Sequence, residues 1–136
     1  MTDLTIEYRK IGQLSTCLGN ERVRIDLDGN AFYSRNNVEC EGGELWSAPL
    51  CPVGRLATES KARLKLELKA SGILDMPRLT IDEIAEGGVR EELSIKLEGE
   101  ERCFIIQNKD SLAFKRAVRA IFACCMSLKP FGLMVN

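Results

Sequence analysis

Apolar and polar residues alternate in five short stretches of the chain, which is the pattern of strands with one buried face. The apolar positions are, strand by strand, Leu4, Ile6 and Tyr8; Val23, Ile25 and Leu27; Phe32; Leu93, Ile95 and Leu97; Phe104 and Ile106. Asp28 and Gly29 suit a tight turn between the second and third strands. Glu98, Gly99 and Glu100 suit a turn between the last two. The sequence therefore predicts two hairpins and one further strand.

The length of each turn decides which side chains reach the core. In the first hairpin, a two-residue loop pairs Ile25 with Phe32, whereas a three-residue loop pairs it with Tyr33. We favour Phe32 on the core face because its ring has no polar atom that needs a partner. In the second hairpin, a loop of even length places Phe104 and Ile106 on the same face as the apolar residues of the preceding strand.

Two further stretches predict helices. The first runs over 58–71, with Thr58 as N-cap and Gly72 just after its end. Its leucines also alternate like a strand, but its high content of helix-forming residues decides for a helix. The residues at helical spacing are Ala62, Leu66, Ala70 and Ile73. The second helix begins after Asp110 and runs to about Leu128. Its apolar stripe consists of Leu112, Phe114, Ala117, Val118, Ile121 and Cys125.

The order of elements is therefore β-β-β-α-β-β-α. It predicts one α+β domain over 1–136, an antiparallel sheet of hairpins with both helices packed on one face. A long loop at about 36–54 interrupts this order, and a short strand around 44–46 is one alternative within it. The chain closes with an apolar tail at 130–136.

Composition excludes several functions. The chain of 136 residues has no histidine and a formal net charge of −1. Catalytic triads that use histidine and histidine-ligated zinc sites are therefore absent, and a nucleic-acid partner is not expected. No apolar run is long enough to span a membrane, and the start at Met1 lacks the features of a signal peptide. We expect a cytoplasmic protein that binds no metal and no cofactor.

The cysteines and the carboxylates give no clear catalytic arrangement. The six cysteines are Cys17, Cys40, Cys51, Cys103, Cys124 and Cys125, with no Cys-x-x-Cys pair. We expect them to be reduced and largely buried, although Cys40 and Cys51 flank the long loop and could pair under oxidation. Acidic residues cluster at Glu39, Glu41 and Glu44 and at Asp82, Glu83, Glu91 and Glu92. Solvated acidic loops are far commoner than carboxylate-based active sites, so we predict that the protein is not an enzyme.

Four segments carry a family resemblance. They are the opening strand 4–9 followed by Gly12, the hairpin strand 23–29, the helix end Lys69-Ala70-Ser71-Gly72-Ile73-Leu74-Asp75-Met76-Pro77, and the hairpin strand 92–99. In this order the chain resembles the emfourin-type family of small bacterial proteins over about residues 4–122. Met76 stands where the family typically has leucine, and 11–15 reads Ile-Gly-Gln-Leu-Ser where it usually has a Gly-Gly-Phe-Ala-Gly-like loop. The resemblance implies a protein-binding role similar to that of a cytoplasmic inhibitor of thermolysin-like metalloproteases.

Candidate binding residues are those that the packing pattern leaves unexplained. They are Gln13, Leu14 and Ser15 after the first strand, and Trp46 in the long loop. Trp46 is either an anchor for a partner or a staple that holds its loop on the core. The alternative function is a structural subunit or homo-oligomer. It would associate through a sheet edge or through the tail residues Phe131, Gly132, Leu133 and Met134.

Overall fold

The computed structural model describes residues 3–12, 20–36, 51–81, 88–126 and 128. Within them the chain forms an α+β fold, with one open, mostly antiparallel sheet of seven strands and two helices that pack together. A short 3-10 turn at Ile73–Asp75 follows the first helix. The elements are β1 (Leu4–Ile11), β2 (Asn20–Ile25), β3 (Asn30–Asn36), β4 (Cys51–Arg55), α1 (Thr58–Ser71), β5 (Leu79–Ile81), β6 (Arg90–Leu97), β7 (Glu100–Gln107) and α2 (Leu112–Met126).

The strands lie in the order β4-β3-β2-β1-β6-β7-β5. All neighbours are antiparallel except β5 and β7, which are parallel. The predicted fold class is confirmed, and the five predicted strands are all present. The sequence analysis missed β4 and β5, which are the two edge strands of this sheet. The sequence analysis places most of β4 in the long loop at about 36–54, whereas the structure has a strand at 51–55.

One face of the sheet carries the core, and both helices cover it. Alternate residues of β1, β2, β6 and β7 belong to the same buried cluster as α1 and α2. The helices run antiparallel, since Cys124 near the end of α2 donates to the carbonyl of Ser60 near the start of α1 at 3.8 Å. The buried cluster includes Leu4, Ile6, Tyr8, Val23, Ile25, Leu64, Leu68, Leu93, Ile95, Phe104, Ile106, Phe114, Ala117 and Ile121.

The register of the first hairpin differs from both sequence-based alternatives. Ile25 pairs with Ala31, and Phe32 pairs with Arg24 on the face away from the helices. The expectation that Phe32 enters the core is therefore wrong, and Tyr33 lies on the core face instead. The Asp26 side chain sets this register by accepting the backbone N–H groups of Asp28 and Asn30, at 3.0 and 2.9 Å.

The second hairpin follows the prediction. Leu93 pairs with Phe104 and Leu97 with Glu100, so a two-residue loop at 98–99 joins β6 to β7. Phe104 and Ile106 are buried with Leu93 and Ile95. A loop of even length therefore places the apolar residues of both strands on the same face of the sheet, as the alternation predicts.

Helix α1 has the predicted limits but buries a different face. Lys61, Leu64, Leu68 and Ser71 are buried, whereas the predicted positions Ala62, Leu66 and Ala70 are exposed. Its N-cap is Ala57, not Thr58, and no side chain caps it.

Helix α2 keeps the core of its predicted stripe. Phe114, Ala117 and Ile121 are buried, but Leu112 is exposed. The predicted cap at Asp110 is wrong, because the Ser111 hydroxyl accepts the N–H of Phe114 at 3.2 Å. No helix in the described part of the chain is long and apolar enough to cross a membrane.

Candidate functional site

The four predicted binding residues lie outside the described residues, but the strands before and after their segments are described. Gln13, Leu14 and Ser15 fall between β1 and β2, and Trp46 falls between β3 and β4. Asn20, the first residue of β2, is the partner of Asn36, the last residue of β3. The two segments are thus attached at neighbouring positions on one end of the sheet, which we call the variable end. The apolar tail and the alternative strand around 44–46 also lie outside the described residues.

Two tyrosines brace the variable end on the helix-covered face. Tyr8 donates to Glu91 Oε2 at 2.6 Å, and Tyr33 donates to Glu21 Oε2 at 2.7 Å. Both rings meet Phe122 of α2 edge to face, with centroids 5.7 and 6.1 Å away. These contacts connect four neighbouring strands, β3, β2, β1 and β6, with α2.

Burial keeps both phenol groups protonated. Desolvation, followed by the charge and hydrogen bond of Glu91, raises the pKa of Tyr8 far above its usual range. Desolvation and the hydrogen bond to Glu21 raise the pKa of Tyr33 to about 12. A phenol that stays protonated near neutral pH is a hydrogen-bond donor and not a base. The two phenols therefore act as hydrogen-bond donors that tie neighbouring strands together.

The sequence analysis named Glu91 only as a member of an acidic cluster. Its pairing with Tyr8 depends on the β1–β6 register, in which Tyr8 stands opposite Leu93 and Lys10 opposite Glu91. A tyrosine that alternates with core residues near a strand end was the available signal. Sequence alone did not identify which strand would lie beside it.

The other face of the sheet, here called the open face, carries charged side chains. Arg9 stands directly opposite Arg22 on the neighbouring strand. Glu7 lies between them, with Oε2 at 3.6 Å from Arg9 and at 3.2 Å from Arg22. One carboxylate thus offsets the repulsion between two arginines. These side chains are partly exposed, so each ion pair contributes at most about 1 kcal/mol.

The cysteines are less buried than expected. Cys51 and Cys103 are exposed, which contradicts the prediction for these two thiols, and Cys124 and Cys125 are half-buried. All four are free thiols. Exposure of Cys51 follows from its place on an edge strand, and exposure of Cys103 from its place on the open face beside Ser94. Cys17 and Cys40 lie outside the described residues, so the alternative of a Cys40–Cys51 pair under oxidation is not tested.

Comparisons with known proteins give no assignment. Among the described residues, no group of three or more cysteine or carboxylate side chains is arranged to hold a metal ion. No protein-family model matches the chain, and a search of curated proteins found no match. The resemblance to emfourin-type proteins therefore stays a prediction that depends on the residues quoted above.

Proposed function

We propose that this chain is a non-enzymatic, cytoplasmic protein-binding module, similar in class to inhibitors of thermolysin-like metalloproteases. Its contact residues in this proposal are Gln13, Leu14, Ser15 and Trp46. The observation that supports it most is the pairing of Asn20 with Asn36, which attaches both candidate segments to one end of the sheet. A partner that contacts one segment is therefore close to the attachment points of the other.

The side-chain contacts beside the variable end support the same proposal. Binding costs less when the contact residues are attached to a scaffold that does not need to reorganise. The Tyr8–Glu91 and Tyr33–Glu21 hydrogen bonds, together with Phe122, hold the strands that flank both segments. Binding modules commonly place their contact segments on such a framework.

Thermolysin activity provides a direct test. Purified protein is titrated into thermolysin with a chromogenic peptide substrate, and wild type is expected to inhibit. The Leu14→Ala, Trp46→Ala double variant should weaken inhibition by about 2 kcal/mol or more, since anchors at interface centres contribute this much. Leu66→Ala is the matched control because Leu66 is 66% exposed on α1. It should inhibit like wild type.

Two outcomes would contradict parts of the proposal. If wild type leaves thermolysin fully active, the protease class is wrong, and affinity capture from the host lysate then tests for another protein partner. If the double variant binds as tightly as wild type, the two segments are not the contact surface.

Melting temperatures distinguish the two alternative roles of Trp46. A staple lowers the melting temperature when it is removed, whereas an anchor weakens binding at unchanged stability.

A second candidate function is self-association through the edge of the sheet. β4 pairs with β3 on one side, and the described residues provide no strand on its other side. Such an edge offers backbone groups to another chain, but Pro52 in β4 has no N–H to contribute. Light scattering after size-exclusion chromatography tests this candidate. A mass of 15.2 kDa supports the monomeric binding module, and a multiple of it supports the assembly.

A further inference from the structure

A pocket lies at the opposite end of the sheet from the variable end. This cavity of about 600 Å³ opens between the β2–β3 turn and the start of α1. Its walls combine two cationic side chains, one hydroxyl group and three apolar side chains: Arg55 and Lys61, Thr58, and Leu27, Leu56 and Ala57. The proposed function uses none of these residues.

Lys61 is the most informative residue of the pocket. It is only 6% exposed, which is rare for a lysine. Its ammonium group donates to the carbonyl oxygen of Leu27 at 2.6 Å. Within the described part of the chain, no carboxylate lies within ion-pair distance of it. A buried charge whose partner is neutral is costly, and an ammonium group has three N–H donors. This lysine therefore favours an anion in the pocket.

Arg55 contributes a second cation at the pocket wall. Its Nε donates to the carbonyl oxygen of Asp28 at 3.0 Å, and the described residues form no ion pair with it. The two terminal nitrogens of the guanidinium group carry four more N–H donors in a planar arrangement. That arrangement matches the oxygens of a phosphate or a carboxylate.

The start of α1 supplies backbone donors on the same wall. The N-cap Ala57 has no side chain that could accept a hydrogen bond. Lys61 N–H bonds to the carbonyl of Ala57, so the N–H groups of the three preceding residues have no acceptor within the helix. The helix dipole adds partial positive charge at this point. Asp28 also lines the pocket, so the lining carries one acidic residue against two basic residues and a helix start.

We propose that this pocket binds a small organic phosphate. Its phosphate group accepts hydrogen bonds from Lys61, Arg55 and the first turn of α1, and its apolar part contacts Leu27 and Leu56. A phosphate dianion has enough oxygens to engage donors from three directions, which a carboxylate with two oxygens does less completely. The volume lies within the range of small-molecule sites.

A titration followed by NMR tests the proposal on the full-length protein. Phenyl phosphate, inorganic phosphate and benzoate are added separately to ¹⁵N-labelled protein, and the amide signals of Thr58, Glu59 and Ser60 are followed. We expect saturable shifts that are tightest with phenyl phosphate, weaker with inorganic phosphate and weakest with benzoate. Arg55→Met should weaken phenyl phosphate binding about tenfold or more, because hydrogen bonds between charged groups contribute this much.

Matched variants separate a built pocket from general attraction between charges. Arg63→Met is the control, since Arg63 is exposed on α1 and does not line the pocket. It should bind phenyl phosphate like wild type. Lys61→Met should also weaken phenyl phosphate binding. If that variant fails to fold, the affinity of Arg55→Met for phenyl phosphate still tests the proposal. Three results would overturn the proposal: no saturable shift at millimolar phenyl phosphate, equal binding by Arg55→Met and wild type, or equal weakening by Arg63→Met. Benzoate binding as tightly as phenyl phosphate would overturn the assignment to phosphate.

Discussion

Two turn glycines provide a controlled test of how the β2–β3 turn is packed against α1. Gly29 and Gly99 both lie in hairpin turns with positive φ, at 91° and 85°. They differ in surroundings. A Cβ atom on Gly29 would lie 2.8 Å from the carbonyl oxygen of Leu56, whereas a Cβ on Gly99 would meet nothing within 4 Å. Comparing alanine at the two sites therefore isolates the close contact from the backbone conformation.

The magnitudes follow from these two terms. A left-handed backbone conformation costs an alanine about 1–2 kcal/mol at either site. The gain from a less flexible unfolded chain also applies at both sites, so it cancels in the comparison. The contact at Gly29 adds about 1–3 kcal/mol for overpacking. Leu56 cannot move away easily, because its N–H donates to the Gly29 carbonyl at 2.8 Å.

We expect Gly99→Ala to lower the free energy of unfolding by about 1–2 kcal/mol, and Gly29→Ala by about 2–5 kcal/mol. Urea denaturation followed by circular dichroism measures both, with equal slopes as the check that the transitions are comparable. Equal losses for the two variants would refute the reasoning. The β2–β3 turn would then not be packed closely against the segment that leads into α1.

Three further predictions concern helix packing, pH and thiol reactivity. Leu64→Ala should lower the free energy of unfolding by about 2–5 kcal/mol because Leu64 is fully buried, whereas Leu66→Ala should change it by less than about 0.5 kcal/mol. A larger loss for Leu66→Ala than for Leu64→Ala would mean that the face of α1 with Leu66 packs on the sheet. The pKa of Tyr33 rises from 10.0 to about 12 on folding, so the stability that its protonated form contributes is complete below pH 10 and is lost between pH 10 and about 12. Denaturation measured across this pH range should show a smaller loss of stability for Tyr33→Phe than for wild type. Brief alkylation and peptide mapping should modify exposed Cys51 before Cys125, whose pKa burial raises to about 12; faster labelling of Cys125 would contradict its packing.

Local patterns were sufficient to predict the fold class, since alternation and turn residues indicated five strands, and helix propensity and helical spacing indicated two helices. The edge strands were missed for a physical reason. β4 contains Pro52 and Gly54 and has little alternation, and β5 has only three residues. Both are strands because a neighbour provides hydrogen bonds, and that pairing is not encoded locally.

The errors within predicted elements have similarly specific causes. Phe32 was preferred over Tyr33 because a buried hydroxyl group needs a partner, but Glu21 supplies that partner from the adjacent strand. The buried face of α1 was misassigned because Lys61 lies on it. A lysine is normally counted as exposed, and its acceptor on Leu27 is 34 positions away in the chain. Local patterns do not contain such contacts.

For the candidate sites, the sequence identified segments but not their surroundings. It selected Gln13, Leu14, Ser15 and Trp46 as residues that packing leaves unexplained. The attachment of both segments at one end of the sheet required the pairing of Asn20 with Asn36. The anion pocket required the turn, the edge strand and the helix start to be brought together in three dimensions.

The central place of β1 has a consequence for how the chain folds. β1 pairs with β6 along its whole length, and the paired residues Leu4 and Leu97 are far apart in the sequence. This pairing is the seam between the strands β1–β4 and the strands β5–β7. The chain between β1 and β6 forms a long loop that must close before the two strands can pair. Closing this loop costs chain entropy before any contact is gained, and folds rich in contacts between residues distant in sequence form slowly. During synthesis β1 leaves the ribosome before β6, so the edge of β1 that pairs with β6 stays unpaired until β6 has been made.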